Sequence, residues 1–193
     1  MINVEERGTL KAGMADSLVR QLLRAGAQGD LRVDVAGQAC SITLVPGAIQ
    51  AVQAGNVEGS EALLRIAALA QGDWTFDASG EPQESDLSDE TLRMLGDLDR
   101  QLARWMRYER RLGGTDRCLA ADEAKLAAAD LPNELKPFAL EFDGERTVVH
   151  QILETTMNDL TALRLTSKLL EQELLVDAAS RVAASRRRRL RNS

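Results

Sequence analysis

The period of the apolar residues changes several times along the chain, and each change marks an element. Leu31, Val33 and Val35 alternate with Arg32 and Asp34, the period of a half-buried strand. Ala36-Gly37-Gln38 then supplies a turn, and Ile42 and Leu44 continue a second strand, so residues 31–44 read as a hairpin. Pro46-Gly47 makes another turn into a third strand carrying Ile49, Ala51 and Val52. Before the hairpin, residues 8–12 read as a short strand or extended entry. They are followed by a helix over about 16–27, with Asp16 or Ser17 as its cap and Leu18, Leu22 and Leu23 on one face. After a loop bracketed by Gly55 and Gly59, the spacing of Leu63, Ile66 and Leu69 predicts a helix from Glu61 to Ala70. Trp74 and Phe76, two apart, face one side of a closing strand.

Residues 77–90 break this pattern with six acids, no base, and Gly and Pro in the same stretch, the composition of a solvated linker. Ser88 is placed to cap the next element, a long helix over 89–112. At 100° per residue Leu95, Leu98, Leu102, Trp105 and Leu112 share one face of it, and Arg100, Arg104, Arg107 and Arg111 share the opposite one. Such a stripe packs either within the chain or on a second copy. Glu109 falls toward the apolar side, an odd place for a carboxylate, and hints that this edge meets water or a partner. Gly113-Gly114 ends the helix. The run AADEAKLAAAD at 120–130 is expected to be helical. Three more helices are expected at about 132–142, 147–154 and 159–173, the last with a buried stripe of Leu160, Leu163, Leu170 and Leu174. A helix, a tight turn and a second helix is the skeleton of a helix-turn-helix. The expected organisation is α+β: a small sheet domain at 1–80, linker and long helix at 81–114, a helical domain at 115–176, and a disordered Arg-rich tail at 177–193.

Composition narrows the function. The net charge is −6, yet the last 16 residues carry six arginines and no acid, so the rest of the chain stands at −12. An acidic body repels nucleic acid at long range, and any such contact falls to local patches or to the tail. Cys40 and Cys118 have neither the spacing of a metal knuckle nor the number for a disulfide framework, and read as reduced thiols. The first ten residues contain acids and no apolar core, so no signal peptide is expected, and no apolar run reaches the roughly 18 residues of a membrane span. A cytoplasmic protein is expected. The single histidine, His150, lacks the partners of a catalytic triad. Gly55-x-x-x-Gly59 has no Lys-Ser/Thr after it and is a turn, not a phosphate loop. Neither a cofactor nor a metal is expected, and no enzyme.

Residues 8–76 resemble the PATAN domain, a bacterial signalling module. The likeness lies in Gly29-x-Leu31, Pro46-Gly47-Ala48-Ile49, the glycines 55 and 59, Glu61-Ala62-Leu63-Leu64 and Gly72-Asp73-Trp74-Thr75-Phe76. The C-terminal part is similar to the winged-helix-like module that accompanies such domains, from Leu131-Pro132 through the stretch 142–148 to Leu169-Leu170 and Leu174-Leu175-Val176. It departs from that pattern at Glu173, where the family turns with Gly, and the last helix is therefore expected to run on. Little chain remains after Val176 for a wing.

The resemblance implies an adaptor that binds other signalling proteins, such as a response regulator, a GTPase or a pilus motor component, in motility or type IV pilus control. It brings no catalytic residue. The candidate partner surface is Arg100, Arg104, Arg107 and Arg111, and a homodimer is a further expectation. The alternative is a DNA-binding transcriptional regulator. It would use Thr161, Arg164, Ser167 and Lys168 of the recognition helix, followed by Glu171, together with tail arginines Arg186, Arg187, Arg188 and Arg189. Two cations beside one anion are weak electrostatics for DNA.

Overall fold

The computed structural model describes residues 5–132 and 135–179, and the chain divides into two units, Met1–Arg104 and Trp105–Ser193. Both units are α+β. Among the described residues no helix is long and apolar enough to cross a membrane.

The first unit is an antiparallel sheet of six strands: β1 (Glu5–Leu10), β2 (Gly29–Val35), β3 (Gln38–Val45), β4 (Ala48–Ala54), β5 (Val57–Glu58) and β6 (Gly72–Ala78), in the order β1-β6-β2-β3-β4-β5. The expected hairpin is present in register, Leu31 opposite Ile42 and Val33 opposite Cys40. The alternation has its predicted meaning: Leu31, Val33 and Val35 are buried, and Arg32 and Asp34 are exposed. Helix α1 (Ala15–Arg24) and helix α2 (Gly59–Leu69) supply the rest of the core, through Ala15, Val19, Leu22 and Leu23 and through Ala62, Leu63, Leu64, Ile66 and Ala67. Leu18 is only half-buried, and Val19 takes the place expected of it. Neither Asp16 nor Ser17 caps α1: the N-cap is Met14, without a side-chain cap, and Asp16 instead accepts from Arg20 at 2.8 Å.

Trp74 and Phe76 do share a face, but not a degree of burial. Phe76 is 3% exposed, whereas Trp74 is half-buried and lies across Gly8 of the neighbouring strand. A Cβ on Gly8 would stand 2.8 Å from the indole Nε1, so the missing side chain is what leaves room for the ring over this strand.

Residues 79–88 have no regular structure and are exposed except at half-buried Leu87, as a solvated linker should be. They are nevertheless fastened to the first unit. The amides of Ser79, Gln83 and Ser88 donate to the carbonyls of Gln28, Gly26 and Gly47 at 2.8, 3.0 and 2.9 Å. Helix α3 (Asp89–Leu112) follows, with Ser88 capping it as expected: its Oγ accepts from the Thr91 amide at 3.2 Å.

The second unit holds β7 (Cys118–Ala121), α4 (Glu123–Ala128), α5 (Leu135–Leu140), β8 (Asp143–Thr147), α6 (Val148–Glu154), α7 (Asp159–Glu171) and β9 (Leu175–Asp177), with sheet order β8-β7-β9. The three expected helices are present, but residues 120–130 are not one helix. Pairing of Ala120 with Val176 and Ala121 with Leu175 draws the alanines into a strand, where both are buried. Asp122 then starts α4 by accepting from the Lys125 amide at 3.2 Å. Tertiary pairing thus outweighs the helix propensity of alanine. The middle strand of this sheet is β7, which precedes the helices, so the sheet draws on chain upstream of them as well as on Leu175–Asp177.

The last helix does not run on. Glu173 adopts a left-handed φ of 58°, its amide donates to Leu170 O and that of Leu174 to Leu169 O, both at 2.9 Å. This is the Schellman closure that glycine ordinarily makes. Glu173→Gly is therefore expected to raise the thermal midpoint, because glycine enters this conformation without steric cost while the exposed ion pair lost with Lys125 contributes little. A lower midpoint would show that the pair outweighs the strain. At the other end of the chain, Gly8→Val is expected to cost about 1–3 kcal/mol by displacing Trp74, measured by urea unfolding followed through tryptophan fluorescence. An unchanged midpoint would show that the ring moves aside freely.

Candidate functional site

The expected partner surface lies on α3, so its placement follows from how that helix is buried. Leu95 and Leu98, at 4% and 3% exposure, belong to the first unit, and Trp105 and Leu112, at 1% and 0%, to the second. Leu102, expected in the same stripe, is half-buried. In the first unit Arg20 of α1 ties to the helix by donating to Asp99 Oδ1 at 2.7 Å and to Leu95 O at 3.5 Å. Thr91 Oγ1 accepts the Ile49 amide of β4 at 3.0 Å and meets Ser88 Oγ at 3.0 Å. Thr91 is 1% exposed, and its role escaped the sequence reading because threonine at that position breaks no pattern.

All four arginines of the opposite face are exposed, Arg100 and Arg104 in the first unit and Arg107 and Arg111 in the second. Arg100 pairs with Asp97 one turn earlier, and Arg111 reaches Glu171 of α7 at 3.2 Å. Arg104 and Arg107 make no ion pair among the described residues. On the buried side, Glu109 is half-buried, and burial is what raises its carboxyl above the ordinary range; a hydrogen bond from Thr115 opposes the shift and the charge of Asp116 adds to it.

The residues of the alternative reading fare differently. Arg164 and Lys168 are exposed on α7, as is Glu171. Thr161 is half-buried in the first turn, where its amide donates to the Asn158 cap at 3.3 Å. Ser167 does not face outward: it is 1% exposed, with no hydrogen-bond partner for its Oγ among the described residues. The helix turns Ser167 inward beside Thr166, and the outward set is correspondingly smaller. Arg186, Arg187, Arg188 and Arg189 lie outside the described residues.

Other reactive groups are quiet. Burial, the largest influence, pushes the Cys40 thiol up to about 11 despite the nearby Arg65, so little thiolate forms at neutral pH. Cys118 is half-buried and, like Cys40, free. At the start of α6 Thr147 Oγ1 caps the helix by accepting from the His150 amide at 3.4 Å, and His150 Nδ1 sits 2.6 Å from the same oxygen. Arg65 is 1% exposed and donates to Ala54 O at 3.0 Å, an arginine holding the end of β4 rather than a ligand. The first unit also carries a groove of about 330 Å³ along β4 from Ile49 to Gln53, bounded by Glu58, Gly59 and Met94.

Comparison with known proteins brings no match: no family model, no curated protein and no solved structure matches the chain.

The sign of the Glu109 shift gives a test. A carboxyl raised in the folded state favours the protonated form there, so its contribution to stability is fully present below the unfolded value and is lost as pH rises through the raised one. Glu109→Gln is expected to be more stable than the parent at pH 7, with the difference shrinking as pH falls through the carboxylate range. Urea midpoints measured between pH 4 and 7 check this; a variant less stable at pH 7 would show that the Thr115 contact outweighs desolvation.

Proposed function

We propose that the chain is a non-catalytic adaptor of bacterial signal transduction, joining partner proteins through the arginine face of α3, in the setting of motility or type IV pilus control that the PATAN resemblance implies. The observation that carries the reading is the state of that face. Arg104 and Arg107 are solvent-exposed with no ion pair among the described residues, on a helix whose other side is already occupied at Leu95, Leu98, Trp105 and Leu112. Guanidinium groups meet carboxylates bidentately, which favours an acidic protein surface as the partner. The element order of residues 8–76, three consecutive strands joined by Ala36-Gly37 and Pro46-Gly47, then a helix and an aromatic strand, accords with a PATAN-like module. The DNA-regulator alternative has only Arg164 and Lys168 exposed on α7 among its described cations, with exposed Glu171 one turn further on.

The test is capture from an extract of the native cell, with bound protein and nucleic acid both identified. Arg104→Glu combined with Arg107→Glu is expected to lose the protein partners recovered by the parent while leaving the circular-dichroism spectrum and thermal midpoint unchanged. Retention of every partner by the double variant would overturn the reading. Sequence-selective duplex DNA binding at physiological salt, sensitive to Arg164→Ala and insensitive to the α3 charges, would establish the alternative.

A further inference from the structure

Residues 79–88 are tied to the first unit in an unusual way. Their side chains point to solvent except at half-buried Leu87, so almost no apolar surface holds them. What holds them is main chain: the three amide-to-carbonyl bonds from Ser79, Gln83 and Ser88. Two glycine sockets receive them. Gly26 and Gly47 stand at φ of 64° and 69°, and a Cβ on either would lie 2.1 Å from a strap carbonyl, that of Gln83 or that of Asp86. Gly26 also closes α1, its amide donating to Leu23 O at 3.1 Å. The strap's far end is a clasp of side chains, Ser88 Oγ to the Thr91 amide and to Thr91 Oγ1, which in turn accepts from Ile49.

We infer that the strap 79–88 is a latch: it opens locally, without unfolding of the sheet, and its opening frees the first turns of α3 and widens the groove between Ile49 and Met94. The energetics follow from the attachment. Segments with exposed backbone hydrogen bonds and few buried apolar contacts open at free energies far below the global one. The strap carries Glu81, Glu84 and Asp86 and no base, and like charges gathered on a fastened segment oppose closure. Thr91 sits one turn before Met94 and Leu95, so loss of the clasp acts directly on the helix wall of the groove. Nothing in this depends on the arginine face.

Hydrogen exchange of the full chain, read by mass spectrometry, tests the latch. Strap amides are expected to exchange faster than those of β2 and β3. Gly47→Ala and, separately, Ser88→Ala should speed strap exchange by about fivefold or more, the effect of losing one net hydrogen bond. Exchange in β2 and β3 should stay as it was. In a Cys118→Ser background, Met94→Cys should react with a thiol reagent faster by a similar factor when either latch variant is added. Strap exchange as slow as that of β2 and β3 in the parent would overturn the inference, as would acceleration that spreads to the sheet in both variants. Faster strap exchange with unchanged labelling at position 94 would also overturn it, by separating the strap from the groove.

Discussion

The first unit rests on one constraint, a sheet apolar on one face only. Leu31, Val33, Val35, Ile42, Leu44, Val52 and Phe76 all lie on that face and are buried, while the residues between them are polar. At roughly 25 cal/mol per Å² of apolar surface removed from water, such a face cannot remain open, and the connections must cover it. Helices α1 and α2 do so with Ala, Val, Leu and Ile. The outer face is left to short polar links, Arg32 with Asp77 at 2.8 Å and Thr43 with Asp30 at 2.6 Å, which contribute little energy and keep that face wetted.

Once the core is covered, the remaining demand comes from main-chain groups at its margins. Arg65, inside the unit, satisfies the Ala54 carbonyl at the end of β4. Thr91 satisfies the Ile49 amide on the same strand, and Ser88 orients Thr91. The glycines at 26 and 47 let the acidic strap approach closely enough to use Gly26 O and Gly47 O as acceptors. A stretch whose composition signals free solvent is thereby part of the unit's hydrogen-bond network.

Helix α3 shows how one stripe can serve two purposes. Its apolar residues are spent on burial, and a carboxylate that strays into the stripe, Glu109, has its carboxyl raised above the ordinary range by the partial burial it shares. The arginines opposite escape that cost because they stay in water. The two faces of α3 thus differ in exposure: the apolar one is mostly buried and the cationic one stays in water.

Residue order alone determined the elements whose period was unambiguous: the 31–44 hairpin, the 89–112 helix with its Ser88 cap, and the helices near 148 and 159. In each, side-chain alternation or a 3–4 spacing matches one backbone geometry and no other. It also determined which side of α3 is charged, since that follows from 100° per residue alone. Tertiary structure decided the rest. Cys118–Ala121 became a strand because β8 and β9 flank it, and alanine carries no period to announce that. The chain turned at Glu173, where the helix was expected to run on, because the Schellman bonds and the packing of Leu174 and Leu175 accompany a reversal there. The strap was fastened through main-chain amides and carbonyls, groups common to nearly every residue, so only contact distances reveal the pairing. Ser167 turned inward and Leu102 came out only half-buried for a related reason: a helix presents a continuous surface, and where burial ends on it is set by the neighbour's shape, not by the helix's own spacing.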